Sequence, residues 1–278
     1  MKKRLFITIG ILLFLSYHLK AQFVDEDYET LDEARLEIIY KLTYSEDSTN
    51  INHKASENMI LLLGNNISLF QSYRSYKMAI IIREKYKAGI YTEWTRSNDF
   101  RNYVSRFQYA IYKNHPKGHI TTTDNIFLTG SFKYEEDLND FHWIILEERD
   151  KYLDYNVQKA ITHRYGRSWI AWFTSELPFN DGPYKFHGLP GLIVKLSDVE
   201  NHYCFELSSI KNTLPNTVIE MEKKDYIITD KMKFFKAEDD FKKGFINNAK
   251  NSVSSNDALS RMEQTIKAQN NPLELEIK

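Results

Sequence analysis

Glu176 and Asp181 flank a sharp turn, and two carboxyl groups facing one another across it could serve as acid and base in hydrolysis. Acids in loops are more often solvated than catalytic. Cys204 lies among apolar residues in a strand-like run, where a thiol packs as a small hydrophobe rather than ionising as a nucleophile. His115 and His119 are four residues apart, but Pro116 and Gly118 break any helix that would align them on a metal. His163, His187 and His202 are scattered and would need the fold to bring them together. The sequence has no phosphate loop, dinucleotide fingerprint, zincin helix or serine elbow. The expectation is therefore no catalytic residue, no metal ligand set and no cofactor, with the question of catalysis left open and leaning against it. The alternative is an envelope hydrolase, or a glycan-directed accessory domain, that uses Glu176 and Asp181.

The most informative stretch is Trp169–Ile193, a buried strand followed by two punctuated turns. Asp181-Gly182-Pro183 forces a bend, because glycine tolerates unusual dihedrals and proline fixes its own φ. Leu189-Pro190-Gly191-Leu192 places proline second and glycine third in a four-residue turn, the pattern of a type II turn. An alanine at Gly191 would then cost roughly 1 kcal/mol or more. Gly182, Pro183, Gly188, Leu189, Pro190, Gly191, Leu192 and Ile193 thus read chiefly as a device that dictates backbone geometry. The functional alternative is a rigid loop that displays Tyr184, Phe186 and His187, with Trp172 nearby, to a ligand or partner.

The elements around this stretch read as short strands. Leu36–Tyr44 alternates apolar and polar residues, and Met59–Leu63 and Ile67–Gln71 flank a Gly-Asn-Asn turn; in Ser72–Lys87, Tyr76, Ala79, Ile80, Arg83 and Lys87 fall at helical spacing before Gly89, while the run Met78–Ile82 suits a buried strand equally well. Residues 88–106 carry no strong pattern. Phe107–Tyr112 and His119–Thr123 flank another turn, and further strands are expected at Ile126–Leu128, Phe132–Tyr134 and Trp143–Leu146. Val157–Arg164 and Ser168–Thr174 form the clearest hairpin, whose second arm is apolar on both faces and should be covered on both. Leu192–Leu196 and His202–Ile210 add two strands, and Phe234–Lys250 has helical spacing. The fold class that follows is α+β: one antiparallel, β-sheet-rich domain with a curved or bowl-like sheet and two or three helices.

Lys2, Lys3 and Arg4 precede an apolar run from Leu5 to Tyr17, and Ala21 stands where a signal peptidase would cut. That run, about 13 residues, falls short of the ~20 needed to span a bilayer. The expected organisation is a signal peptide at 1–21, a flexible leader at 22–34, a domain at 35–250 and a polar, disordered tail at 251–278. No second apolar run is long enough to span, so an integral membrane protein is not expected. Four of the 37 basic residues lie in the signal peptide; the remaining 33 face 38 acidic ones, a formal charge of about −5. No basic stripe points to nucleic acid. The 18 tyrosines and 17 phenylalanines suit sheet faces and a surface able to bind.

Gly188-Leu189-Pro190-Gly191-Leu192-Ile193 resembles the hexapeptide that names the GLPGLI family of secreted Bacteroidetes proteins. Tyr155–Ala160, Ala171–Thr174, Leu177-Pro178 and Gly182–Phe186 are similar to that family's core, and the likeness extends downstream to the strand near Tyr203–Ile210. The resemblance implies export to the periplasm or the cell exterior, with no established activity. It also implies an envelope-transport context, in which the partner is an outer-membrane, TonB-dependent receptor or another envelope protein and the ligand a peptide or glycan. It further implies a fold similar to the bowl-shaped N-terminal domain of some bacterial peptide-N-glycosidases. The long helical insert near residues 72–106 and the polar tail depart from the family pattern.

Overall fold

A computed structural model describes residues 27–50, 52–139, 141–252, 260, 264 and 268–276. The signal peptide expected at 1–21 lies outside the described residues, as do most of 253–267. Strands β1 (Tyr28–Glu33), β2 (Leu36–Tyr44), β3 (Ala55–Leu63) and β4 (Ser68–Ser72) lead into helices α1 (Tyr73–Lys87) and α2 (Tyr91–Arg96) and a 3-10 turn at Asp99–Tyr103. Seven strands follow: β5 (Ala110–Lys113), β6 (His119–Ile126), β7 (Gly130–Asp137), β8 (Ile144–Tyr152), β9 (Tyr155–Arg164), β10 (Arg167–Thr174) and β11 (Leu192–Asp198). The chain ends with β12 (Tyr203–Asn212), β13 (Val218–Glu222), the two-residue β14 (Ile227–Ile228) and helix α3 (Lys231–Ser252).

Twelve strands form one sheet in the order β14-β7-β6-β5-β4-β3-β2-β12-β11-β10-β9-β8, antiparallel throughout except for the β14–β7 edge. A small second sheet pairs β1 with β13. This is the α+β, mostly antiparallel single domain that the strand pattern predicts. In β2, Ile38, Tyr40 and Leu42 are fully buried on one face, as a period of two requires. In β3 the run Met59–Leu63 is buried on both faces: Met59, Leu61 and Leu63 join the main core, Ile60 and Leu62 a second cluster behind it. Ile111 on β5 and Trp169 on β10 share the main core with five strands between them in the sheet, so the sheet curls around one concave face.

Four expectations need correcting. The leader is not loose where it is described, because Tyr28–Glu33 pairs with β13 in register from Tyr28↔Glu222 to Glu33↔Val218. Phe127 and Leu128 are a turn between β6 and β7 rather than a strand, with Leu128 at φ 59°. Within the apolar run Trp169–Phe173 of β10, Trp169, Ala171 and Phe173 are buried, while Ile170 and Trp172 on the other face are half-covered. The tail read as polar and disordered is docked at its described end, where Asn271, Leu273 and Glu274 are buried. Local pattern cannot reveal such docking, because the partners of these residues are spread along the chain from Ser45 through Arg167 to Lys231.

Helix α1 begins where its cap dictates: the Ser72 hydroxyl accepts from the backbone N–H groups of Arg74 and Ser75 at 3.1 and 3.3 Å. It stops at Gly89, which takes a φ of 72°. Although it carries Met78, Ala79, Ile80, Ile81 and Ile82, none of its residues is fully buried. Its Tyr73 and Tyr76 pack on the second cluster of the sheet, while Met78, Ala79 and Ile82 roof an open cleft.

On β6, Asp124 lies opposite Phe132 and faces the cluster that Phe132, Tyr134 and Phe234 make under α3. Burial, reinforced by Glu238, pushes its carboxyl up to about 7 against the pull of the Asn125 N–H and Lys185. Between about pH 4 and 7 the folded state therefore keeps a proton that the unfolded chain has released, and stability falls as pH rises through that window. Asp124→Asn is expected to raise the melting temperature at pH 8, by a gain on the order of 1–3 kcal/mol, and to change little at pH 4. Thermal unfolding at the two pH values checks it.

Candidate binding site

The loop between β10 and β11 fills the concave face. Leu192 N–H donates to Leu177 O at 2.9 Å and Ile193 N–H to Asp181 O at 3.0 Å, which pins the loop's base. Lys113, buried on β5, donates to Asp181, to Gly182 O at 2.7 Å and to Phe186 O at 3.5 Å; Ser68 on β4 donates to the second Asp181 oxygen at 2.5 Å. Burial draws the Lys113 ammonium below its usual range, with Asp181 opposing that shift. A loop that leaves one side of the sheet is thus riveted to strands on the other.

Glycine is required at Gly191, though not for the reason the turn pattern gave. Gly191 N–H bonds Leu189 O at 2.8 Å, a three-residue turn centred on Pro190 rather than a type II turn. Gly191 has φ 150°, and a Cβ there would stand 2.1 Å from the carbonyl oxygen of Thr174. At Gly182 a Cβ would stand 2.8 Å from Ile193 Cβ. The two ends of the motif therefore press on β10 and on each other.

The aromatic residues singled out in the loop point inward. Phe186 is fully buried against Trp169, with ring centroids 4.7 Å apart, and Tyr184 is 5 % exposed beside Tyr109 and Tyr165. The expectation that the loop displays them is corrected, because the concave face needs them as core. Trp172 faces away from the loop and carries Lys159 over its ring at 5.7 Å. His187 is the one of the four that lines open space, a cavity of about 640 Å³ shared with Phe141, Phe179 and Asn180. Its Nδ1 lies 2.9 Å from Lys185 O and its Nε2 2.6 Å from Leu138 O. Burial, with Lys113 nearby, draws its pKa below the usual histidine range.

The carboxylates considered for hydrolysis are each committed elsewhere: Asp181 to Lys113 and Ser68, Glu176 to the backbone and side-chain N–H groups of Asn156 at 2.9 and 2.8 Å. Among the described residues, no three His, Cys, Asp or Glu side chains are placed to hold a metal ion. His163 lies by Ser168, and His202 by Arg167 and Glu200, apart from His187.

The residues that sequence reasoning missed lie in two places. One is a buried square of charge: Lys185 contacts Glu136 and, at 2.8 Å, Glu274, while Lys231 reaches the same two carboxylates at 2.9 and 2.8 Å. Burial alone would lower the Lys185 ammonium, but Glu274, Tyr134 and Glu136 outweigh it and hold the group well above the usual lysine range. Burial would likewise raise Glu274, yet Lys185 and Lys231 hold it below the usual carboxylate range.

The other is the cleft beneath α1. It measures about 870 Å³ and is lined by seven tyrosines, among them Tyr28, Tyr76, Tyr103, Tyr112 and Tyr226, with Met78, Ala79 and Ile82 as its roof. Tyr86 and Tyr91 stack at its mouth with centroids 4.0 Å apart. Arg83 lies 4.4 Å over the Tyr28 ring and pairs with Glu220, while Tyr112 donates to Glu220 O at 3.1 Å. Burial, followed by Glu222, pushes Tyr28 and Tyr226 up to about 12, so both phenols stay neutral, with Tyr226 donating to Glu222 O at 3.1 Å. The volume suits a small organic ligand or a few sugar rings. High tyrosine content was the available signal; that the rings converge under one helix depends on the sheet's curl.

Residues 86–195 match a family model described as Porph_ging, a protein of unknown function. The match takes in β10, the riveted loop and the start of β11. A search of curated proteins gives no match. Among solved structures, PNGF-II in space group P21 aligns with a TM-score of 0.53 at 14 % identity, over 75 % of this chain and 34 % of that one. The same protein in space group C2 aligns at 0.49 and 15 %, over 75 % and 32 %. The chain spans about a third of the length of those solved chains, and at such identity the first alignment speaks to fold alone.

Proposed function

We propose that this chain is an exported, non-catalytic binding protein of the cell envelope, of the GLPGLI kind, and that its ligand is a glycan held in the tyrosine-lined cleft. The carrying observation is a helix with five consecutive apolar or small residues, none fully buried, roofing an open cleft lined by tyrosine. Flat phenol rings offer faces for the C–H surfaces of sugars, and neutral hydroxyls with the nearby carboxylates Glu220 and Glu222 offer partners for sugar hydroxyls. The basic and apolar N-terminus supports export, and the family resemblance supports an outer-membrane receptor as the partner to which a loaded protein would pass.

Binding of the chain from Gln22 onward to a defined array of soluble oligosaccharides tests this reading. Tyr76→Ala and Tyr103→Ala, both half-buried positions at the cleft, are expected to weaken the tightest interaction about tenfold or more each while leaving the fold intact. Folded variants that bind as well as the parent would remove the cleft from the account. Binding of peptides but no glycans would retain the cleft and change the ligand class.

A further inference from the structure

We propose that Arg167, Tyr203, Tyr165, Tyr184, Lys185 and Lys231 form a second recognition site, for an extended acidic peptide, and that residues 270–276 of the chain itself occupy it in cis. The segment is bound in the manner of a peptide ligand, through its backbone and through the buried side chains of Asn271, Leu273 and Glu274. Tyr203 donates its hydroxyl to Asn271 O at 2.5 Å, and Arg167 donates to Pro272 O at 2.7 Å and to Leu273 O at 3.0 Å. Leu275 and Glu276 donate their N–H groups to Tyr165 O at 2.9 and 3.3 Å. Asn271 is read by Arg167 through its carbonyl at 2.5 Å and by Ser45 O through its amide at 2.7 Å. Leu273 enters the main core, and the Glu274 carboxylate receives Tyr184 at 2.6 Å and Lys185 and Lys231 at 2.8 Å each.

Two features distinguish this groove from ordinary core. Its reading groups are held before the segment is considered: Asp198 fixes Arg167 at 3.0 Å, with His202 Nδ1 accepting from the same Nη1 at 3.2 Å. Its floor is stripped to glycine where the segment passes, since a Cβ on Gly166 would lie 2.8 Å from Glu276 N and 3.0 Å from Leu275 Cβ. The chemistry also favours selection over stability. Buried ion pairs rarely outdo apolar packing of the same volume, and their best use is to specify which partner fits. Here they specify the run Asn271-Pro272-Leu273-Glu274, with the proline restricting the backbone ahead of a bend at Leu273.

The test keeps the whole chain. A protease site inserted between Ser254 and Ser255 allows the segment to be nicked from the body, and a fluorescein-labelled synthetic peptide of residues 268–278 is then titrated while anisotropy is read. The nicked protein is expected to take up the peptide with near-ultraviolet circular dichroism unchanged. Affinity for the intact chain should be at least tenfold weaker, and so should that of a Glu274→Gln peptide for the nicked protein. An intact chain carrying Glu274→Gln should take up the wild-type peptide more readily than its parent. The proposal is overturned if the folded, nicked protein ignores the peptide or if the Glu274→Gln peptide binds equally well. It is overturned too if nicking or displacing the segment unfolds the body, which would make the segment part of the core.

Discussion

Gly191→Ala is expected to lower the stability of the protein by about 3–5 kcal/mol, more than any other single methyl added to the motif. A Cβ at this position would sit 2.1 Å from Thr174 O and 2.5 Å from Thr174 C, both backbone atoms of β10 that no rotamer change can move aside. Relief would require β10 and β11 to part next to the Trp172/Phe173 bulge, where Phe173↔Ile193 and Thr174↔Leu192 are paired. The φ of 150° adds strain for any residue with a side chain. Gly188→Ala, by contrast, adds a Cβ whose nearest neighbours are Trp143 ring atoms at 3.7 Å, so its cost is that of a φ of 97° alone. Chemical denaturation of both variants should place Gly191→Ala well below Gly188→Ala. The reverse order would show that the Thr174 contact does not control the motif.

Lys185→Met is expected to cost about 3–5 kcal/mol, because it leaves Glu136 and Glu274 buried with Lys231 as the cation of the former square. Lys185→Met combined with Glu274→Met should lie closer to the wild type than the Lys185 change alone, since the Lys231–Glu136 pair at 2.9 Å survives. The signs of the shifts set the pH range. Glu274 is held low, so its contribution is present above the usual carboxylate pKa and is lost as pH falls through its lowered value. Lys185 is held high, so its contribution is complete below the usual lysine pKa and is lost only as pH rises through its raised value. In an Asp124→Asn background, which removes the opposing titration, urea titrations should therefore agree across neutral pH and weaken in acid. Strictly additive losses in the double variant would contradict a charge square.

The contrast between these residues shows which parts of the protein a single sequence can disclose. Period-two alternation located β2, the turn residues Tyr165-Gly166-Arg167 marked the β9–β10 hairpin, and helical spacing ahead of Gly89 marked α1, because those signals are local. The Gly/Pro-rich motif was legible as a backbone device for the same reason. The direction of its side chains was not: Tyr184 and Phe186 lie in a loop, and loops usually face water. Only the curl of the sheet, which sets β5 opposite β10, makes that loop the filling of a bowl. Lys185, Glu136, Lys231 and Glu274 each read as ordinary surface charge, and their partners lie as far as 95 residues away along the chain. The cleft was visible only as an excess of tyrosine.

The most direct check on the central claim is backbone hydrogen exchange of the chain from Gln22 onward, with and without the tightest-binding oligosaccharide of the array. A ligand seated in the cleft is expected to slow exchange in Tyr73–Lys87 and Val218–Glu222, the roof and wall of the cleft, and to leave the riveted loop at residues 175–191 unchanged. Slowed exchange confined to the loop, or no change in the helix at saturation, would contradict it.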